Sequence, residues 1–144
     1  MKRKSLQRGT AAVEFALILP LLLVLTLMVT ELGRALMQYD TLTKSVRDAA
    51  RYLSVQTPHT HQAQAQNLVV YGNTAGTGTP LVPGLSLANV PAPTWQPAGS
   101  VPAITTVTVQ VTGFTFQPMI QSVFGLSLGP YTFGAISATM RSPS

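Results

Sequence analysis

The sequence predicts an α+β protein. One long N-terminal helix, a membrane span continuing into an amphipathic helix, packs on a small antiparallel β-sheet. Three observations carry this expectation. From Phe15 to Thr30 the chain has no charged residue and leucine dominates. From Leu32 to Leu53 apolar residues recur at intervals of three or four, directly after that run. Toward the C-terminus Val107, Val109 and Val111 alternate with polar residues, the two-residue period of a strand with one covered face.

The 144 residues suffice for one small domain. Charged residues make up 9% of the chain, against about 25% in an ordinary soluble domain. Hydrophobic residues reach 46%, so the low-hydrophobicity, high-charge signature of a disordered chain is absent. With no cysteine there are no disulfides, thiolate metal sites or cysteine nucleophiles. The net charge of +5 is concentrated at one end: Lys2, Arg3, Lys4 and Arg8 precede residue 10, and beyond Arg51 the only formal charge is Arg141. A nucleic-acid binder spreads its bases over a docking face. This distribution excludes nucleic acid as a partner.

The apolar run is framed as a span. Residues 15–30 rise only about 24 Å as a helix, short of a hydrocarbon core of about 30 Å. Beginning at Thr10 lengthens the helix to about 31 Å and places Glu14 inside the membrane. The basic tip ahead of the run and the weaker charge bias after it predict a cytoplasmic N-terminus, with the bulk of the chain outside.

Beyond the span, residues 31–56 read as an amphipathic helix. Leu32, Leu36, Tyr39, Leu42, Val46, Ala50 and Leu53 form one stripe. The other faces offer opposite charges three or four apart: Glu31/Arg34, Asp40/Lys44, Lys44/Asp48 and Asp48/Arg51. Span and stripe together make one helix of roughly 68 Å, half in the membrane and half out.

Pro58 ends this helix, and Thr57 is placed to cap a new one with Pro58 in its first position. The segment HTHQAQAQNLVVYG then reads as a short helix stopped at Gly72. Residues 72–103, rich in Gly and Pro, read as loop, with LSLANV as a short strand and Trp95 anchoring the loop against the sheet. In ITTVTVQVTGFTF the apolar positions are odd up to Val111 and even at Phe114 and Phe116, a switch that a bulge at Gly113 would make. YTFGAISATM switches in the same manner at Gly134, so the two segments are expected to pair antiparallel and bend at one place.

Little in the chain suggests chemistry. No acid follows Asp48, so neither paired carboxylates nor a Ser-His-Asp triad can be assembled in residues 57–144. His59 and His61 are the only histidines; two apart on a helix they face different ways, and they read as surface or capping residues. Gly76 and Gly78 lack the lysine and the strand-loop-helix context of a phosphate cradle. The expectation is a protein that is not an enzyme and uses no metal or cofactor.

Glu14 stands out, because an acid at the middle of a membrane helix costs roughly 2.5–3.5 kcal/mol. One explanation places it at headgroup level. The other gives it a partner: if the chain is cut between Gly9 and Thr10, Thr10 acquires a free amine about 6 Å along the axis from Glu14. A neighbouring copy shifted by one turn would bring that amine to the carboxylate. Pro20 lacks the N–H for the carbonyl of Ala16, which makes a kink available within the span.

RGTAAVEFALILP, followed by ELGR and RDAARYLS, resembles the TadE-type pseudopilins of the tight-adherence (Flp pilus) system, and the likeness is read onward through QNLVVYG, VTVQVTGFTF and ISATMR. The resemblance implies a pilin-like fold and a minor pseudopilin that takes part in assembling Flp-type adhesive pili. It implies a leader, residues 1–9, removed by a prepilin peptidase between Gly9 and Thr10. It assigns Glu14, at the fifth mature position, and Phe15 to subunit assembly. Major Flp pilins have Glu-Tyr there and are much shorter, so Glu14-Phe15 and the appended domain fit the minor role. The implied partners are the peptidase, the other Tad pseudopilins and the Flp pilin, the inner-membrane assembly platform and membrane lipid. The implied location is the inner membrane, crossed once, with residues 57–144 periplasmic, and possible residence in or at the base of the pilus. A second reading is a secreted or anchored periplasmic binding module with an ordinary signal sequence cut near Gly33-Arg34-Ala35. It would sever the amphipathic helix from the span.

Overall fold

The computed structural model describes residues 4–123 and 125–142, with side-chain environments from Gly9 onward. One helix, α1 (Lys4–Leu53), runs through the whole N-terminal third, and a small antiparallel sheet packs on its second half. The α+β class read from the sequence is therefore the fold observed. Lys2 and Arg3 of the basic tip lie outside the described residues.

The sheet follows from the valine alternation. β2 (Ile104–Val111) is central, flanked by β1 (Thr94–Ala98) and β7 (Ile136–Arg141), all antiparallel. Val107, Val109 and Val111 are buried and lie opposite Met140, Ala138 and Ile136. The opposite face carries Thr108 and Thr139, whose hydroxyls meet at 2.7 Å. After Val111 the strand breaks at Gly113, which takes a left-handed φ of 65°. β3 (Thr115–Phe116) then resumes against β6 (Tyr131–Thr132), with Phe114 and Phe116 buried. The pair bends where both sequences switch parity, but through a break in the ladder rather than a bulge. The Phe133 N–H donates to the Phe114 carbonyl at 2.9 Å and holds the two halves together.

α1 is gripped on its last turns. Leu42, Val46, Ala50 and Leu53 of the stripe are buried, and so are Ser45 and Ala49, because α2 (Gln62–Tyr71) packs on α1 as well as the sheet. The lower members of the stripe depart from expectation. Leu32 and Leu36 are more than half exposed, since the three-stranded sheet packs against the helix only higher up. Tyr39 is partly open but meets Phe133 edge-on at 5.6 Å between centroids. Of the charge pairs anticipated, Glu31–Arg34 closes at 2.7 Å. The pairs among Asp40, Lys44, Asp48 and Arg51 do not reach ion-pair distance among the described residues; long exposed side chains gain little by fixing one geometry.

Three local expectations are corrected. Thr57 does not cap α2: the Thr60 N–H and hydroxyl both donate to the Thr57 carbonyl, closing a turn, and left-handed His59 and His61 postpone the helix to Gln62. Gly72 ends α2 as expected, left-handed, donating its N–H to the Leu68 carbonyl at 3.0 Å. LSLANV forms no strand; Leu87–Asn89 is a single 3-10 turn, closed because Asn89 Oδ1 accepts from both the N–H and the hydroxyl of Ser86. Trp95 lies in β1, opposite Val107, rather than in a loop. Pro97, which suggested loop, is tolerated because β1 is an edge strand and needs no second ladder.

Val109 has no exposed surface. Val109→Asp removes about 1.5–3 kcal/mol of burial and adds a charge with no partner. Followed by Trp95 fluorescence in detergent-solubilised protein, this variant should lose its cooperative thermal transition, whereas Val101→Asp, at an exposed position, should melt as the parent does.

Candidate functional site

Two regions of α1 bear on function: its first turns and the level at which it meets the folded unit. Gly9, Thr10, Glu14, Phe15 and Pro20 all lie on one continuous helix, and the α-helix extends on both sides of Pro20. A Cβ built on Gly9 would meet nothing within 4 Å, so the fold itself does not require glycine there. Glu14 and Phe15 are exposed, and Glu14 has no partner among the described residues. Helical geometry places Glu14 one turn beyond Thr10, about 6 Å along the axis. The helix is long and apolar enough to cross a membrane, and that apolar stretch is exposed along most of its length, Val24 being its one buried residue.

The second region is centred on Glu31, only 7% exposed. Arg34 Nη1 donates to Glu31 Oε2 at 2.7 Å, and the Met119 backbone N–H donates to Glu31 Oε1 at 3.2 Å. The Arg34 guanidinium lies over the Phe116 ring, 5.6 Å from its centroid. Phe116 and Phe114 pack on Phe133, which also receives Tyr39. Glu31 is thus a clamp between α1 and the segment after β3. Sequence reasoning missed this role, taking Glu31 for one half of a solvated pair. The available signal was an acid placed at the very end of an uncharged run. Just below lies an apolar groove of about 270 Å³, lined by Met28, Val29, Leu32, Phe116, Leu128 and Tyr131, among others.

The histidines belong to packing. The His59 ring tilts on Trp95 with centroids 4.7 Å apart, and His61 meets Tyr52 edge-on and the Thr60 hydroxyl at 2.9 Å. Among the described residues no group of three His, Cys, Asp or Glu is placed to hold a metal ion.

Residues 9–51 match the family of TadE-like proteins. Over that stretch the chain is similar to TadE-like proteins. The match begins at Gly9 and ends two residues before α1 does, so it spans the apolar helix, Glu14 and the Glu31–Arg34 pair. It stops short of α2 and the sheet; the likeness read in QNLVVYG, VTVQVTGFTF and ISATMR lies beyond it. No curated protein and no solved structure matches the chain.

Removing the acceptor at Glu31 leaves the Met119 amide and the Arg34 guanidinium without their partner, a loss of about 1–3 kcal/mol locally. Glu31→Ala should therefore accelerate hydrogen–deuterium exchange at the Met119 amide while the amides of Val107 to Val111 stay protected. Unchanged exchange at Met119 would show that the clamp contributes nothing.

Proposed function

We propose that this TadE-like chain is a minor pseudopilin that takes part in assembling Flp-type adhesive pili of a tight-adherence system. The observation that carries this reading is that the family match, residues 9–51, falls entirely within one uninterrupted helix, Lys4–Leu53, and begins at Gly9. A prepilin peptidase cuts after Gly9. The basic tip holds the leader in the cytoplasm, α1 crosses the inner membrane once, and the folded unit stands in the periplasm.

The cut creates an amine on Thr10. In lipid an isolated carboxylate is costly, and so is an isolated ammonium; bringing them together offsets both. Thr10 and Glu14 stand one turn apart on the helix, and we place the pairing between copies or sibling pseudopilins offset by about 6 Å, where the amine of one chain meets the carboxylate of another. Phe15 packs at the same contact. Pro20 leaves the Ala16 carbonyl without its helical donor and supplies the local bend that seats one span against another. The signal-sequence reading fares worse: a cut after Ala35 discards Glu31 and Arg34 and with them the clamp to Met119 and Phe116.

The reading is tested by two substitutions. Gly9→Leu should leave the leader attached, seen as the unshortened mass of protein recovered from membranes; since that site has open space, failure to cut cannot be assigned to misfolding. Normal maturation would remove the reading's main support. Glu14→Gln keeps the shape and loses the charge: it should insert and be cleaved, yet fail to co-purify with the other pseudopilins and to restore piliation. Full piliation would return Glu14 to a headgroup-level acid.

A further inference from the structure

We infer that the segment 117–130, between β3 and β6, is an interfacial arm that inserts into the phospholipid surface beside the span and fixes the depth at which α1 sits. The inference rests on the reading of residues 10–30 as a membrane span. It begins with a register. From the top of α1 downward, the chain after β2 descends along the helix: Phe133 meets Tyr39, Phe116 meets Arg34, and the Met119 N–H meets Glu31. Leu128 then lines the same groove as Met28 and Val29. Met28 and Val29 belong to the last turn of the span, so the arm reaches the level where hydrocarbon ends. Cover begins still lower: Val24 is 9% exposed while Leu23 and Leu25 on either side are 51% exposed.

The surface chemistry changes at the same level. On the three-stranded sheet the face turned away from the helix is built of Thr106, Thr108, Gln110, Ser137 and Thr139, side chains suited to water. The arm and the strand that follows it instead expose Met119 (77%), Leu126 (59%) and Tyr131 (54%), and residues 117–130 contain no charge. Two short strands, β4 (Ser122–Val123) and β5 (Leu126–Ser127), pair antiparallel and make this end a hairpin. Apolar side chains with a tyrosine among them are the composition that settles at the boundary of headgroups and acyl chains. The opposed ends of the clamp explain how the arm acts on the span: Glu31, one residue past it, is tied to the arm's backbone. Burial of Met119 and Leu126 in lipid therefore holds α1 against sliding along the membrane normal.

The absence of cysteine makes each engineered cysteine the only labelling site. The full chain, carrying Leu126→Cys, Met119→Cys, Leu22→Cys or Thr139→Cys one at a time, is spin-labelled and reconstituted at high lipid-to-protein ratio in phosphatidylethanolamine–phosphatidylglycerol vesicles. Collisions with oxygen report lipid, and collisions with a water-soluble nickel chelate report water. All four side chains are exposed, or half-exposed at 22, so the labels do not disturb the core. Labels at 126 and 119 should favour oxygen over the chelate, as at 22, and the label at 139 should favour the chelate. Lipid-like collisions at 22 with water-like ones at 126 and 119 overturn the arm and leave the span standing. Water-like collisions at 22 as well overturn the span and the arm with it. Protection of 126 from both reagents means that protein covers the tip, which also overturns lipid contact.

Discussion

Because α1 runs without interruption from Lys4 to Leu53, whatever holds its upper half also sets the position of its lower half. No linker separates the lipid-suited stretch from the stretch that forms a protein core. Leu42, Val46, Ala49, Ala50 and Leu53 are wholly covered by the sheet and α2, while Leu17, Leu19, Leu21, Leu22, Leu23 and Leu25 are exposed. A single rod thus has an exposed apolar half and a half covered by protein, and the transition between them falls near Glu31. A force or a displacement applied at one end is carried to the other by a ladder of backbone hydrogen bonds rather than lost in a flexible joint.

The sheet adapts to that rod. A straight β2–β7 pair would leave α1 after a few residues, since strands twist while the helix stays nearly straight. The break at Gly113, matched in the partner strand around Gly134, re-aims the pair and swaps the covered parity from the valines to Phe114 and Phe116. The aromatic group of Tyr39, Phe114, Phe116 and Phe133 then bridges the valine core and the Glu31 clamp. Without it the chain after β3 would have no apolar surface by which to follow the helix downward.

The molecule carries its function on surfaces. Its acids, Glu14, Glu31, Asp40 and Asp48, all lie on α1, and the sheet has none. Of these, Glu14 faces away from the rest of the chain and Glu31 is spent on an internal contact. That division fits a protein whose recognition runs along one helix; the family match ends two residues before α1 does.

Local pattern determined α1, α2, the valine face of β2, its pairing with the 131–140 segment and the place where both bend, because an uncharged run, a period or a stop at Gly72 is written in neighbouring residues. Glu14 was equally conspicuous, as a charge set in an uncharged run needs no third dimension to be noticed; the roles proposed for Gly9, Thr10 and Glu14 come from the resemblance to TadE-like proteins. Only the tertiary structure decided the rest. β1 was hidden by the prolines around Trp95, since an edge strand accepts what a central one cannot. The Ser86–Asn89 side-chain bonds made a turn of LSLANV, overriding its alternation. The stripe's lower members, Leu32 and Leu36, stayed exposed because a helix pattern records which face is apolar and not where its partner stops. Most of all, Glu31 and Met119 stand 88 residues apart. Local pattern marks the helix on which the acid sits but holds no record of the backbone N–H that folding brings to it.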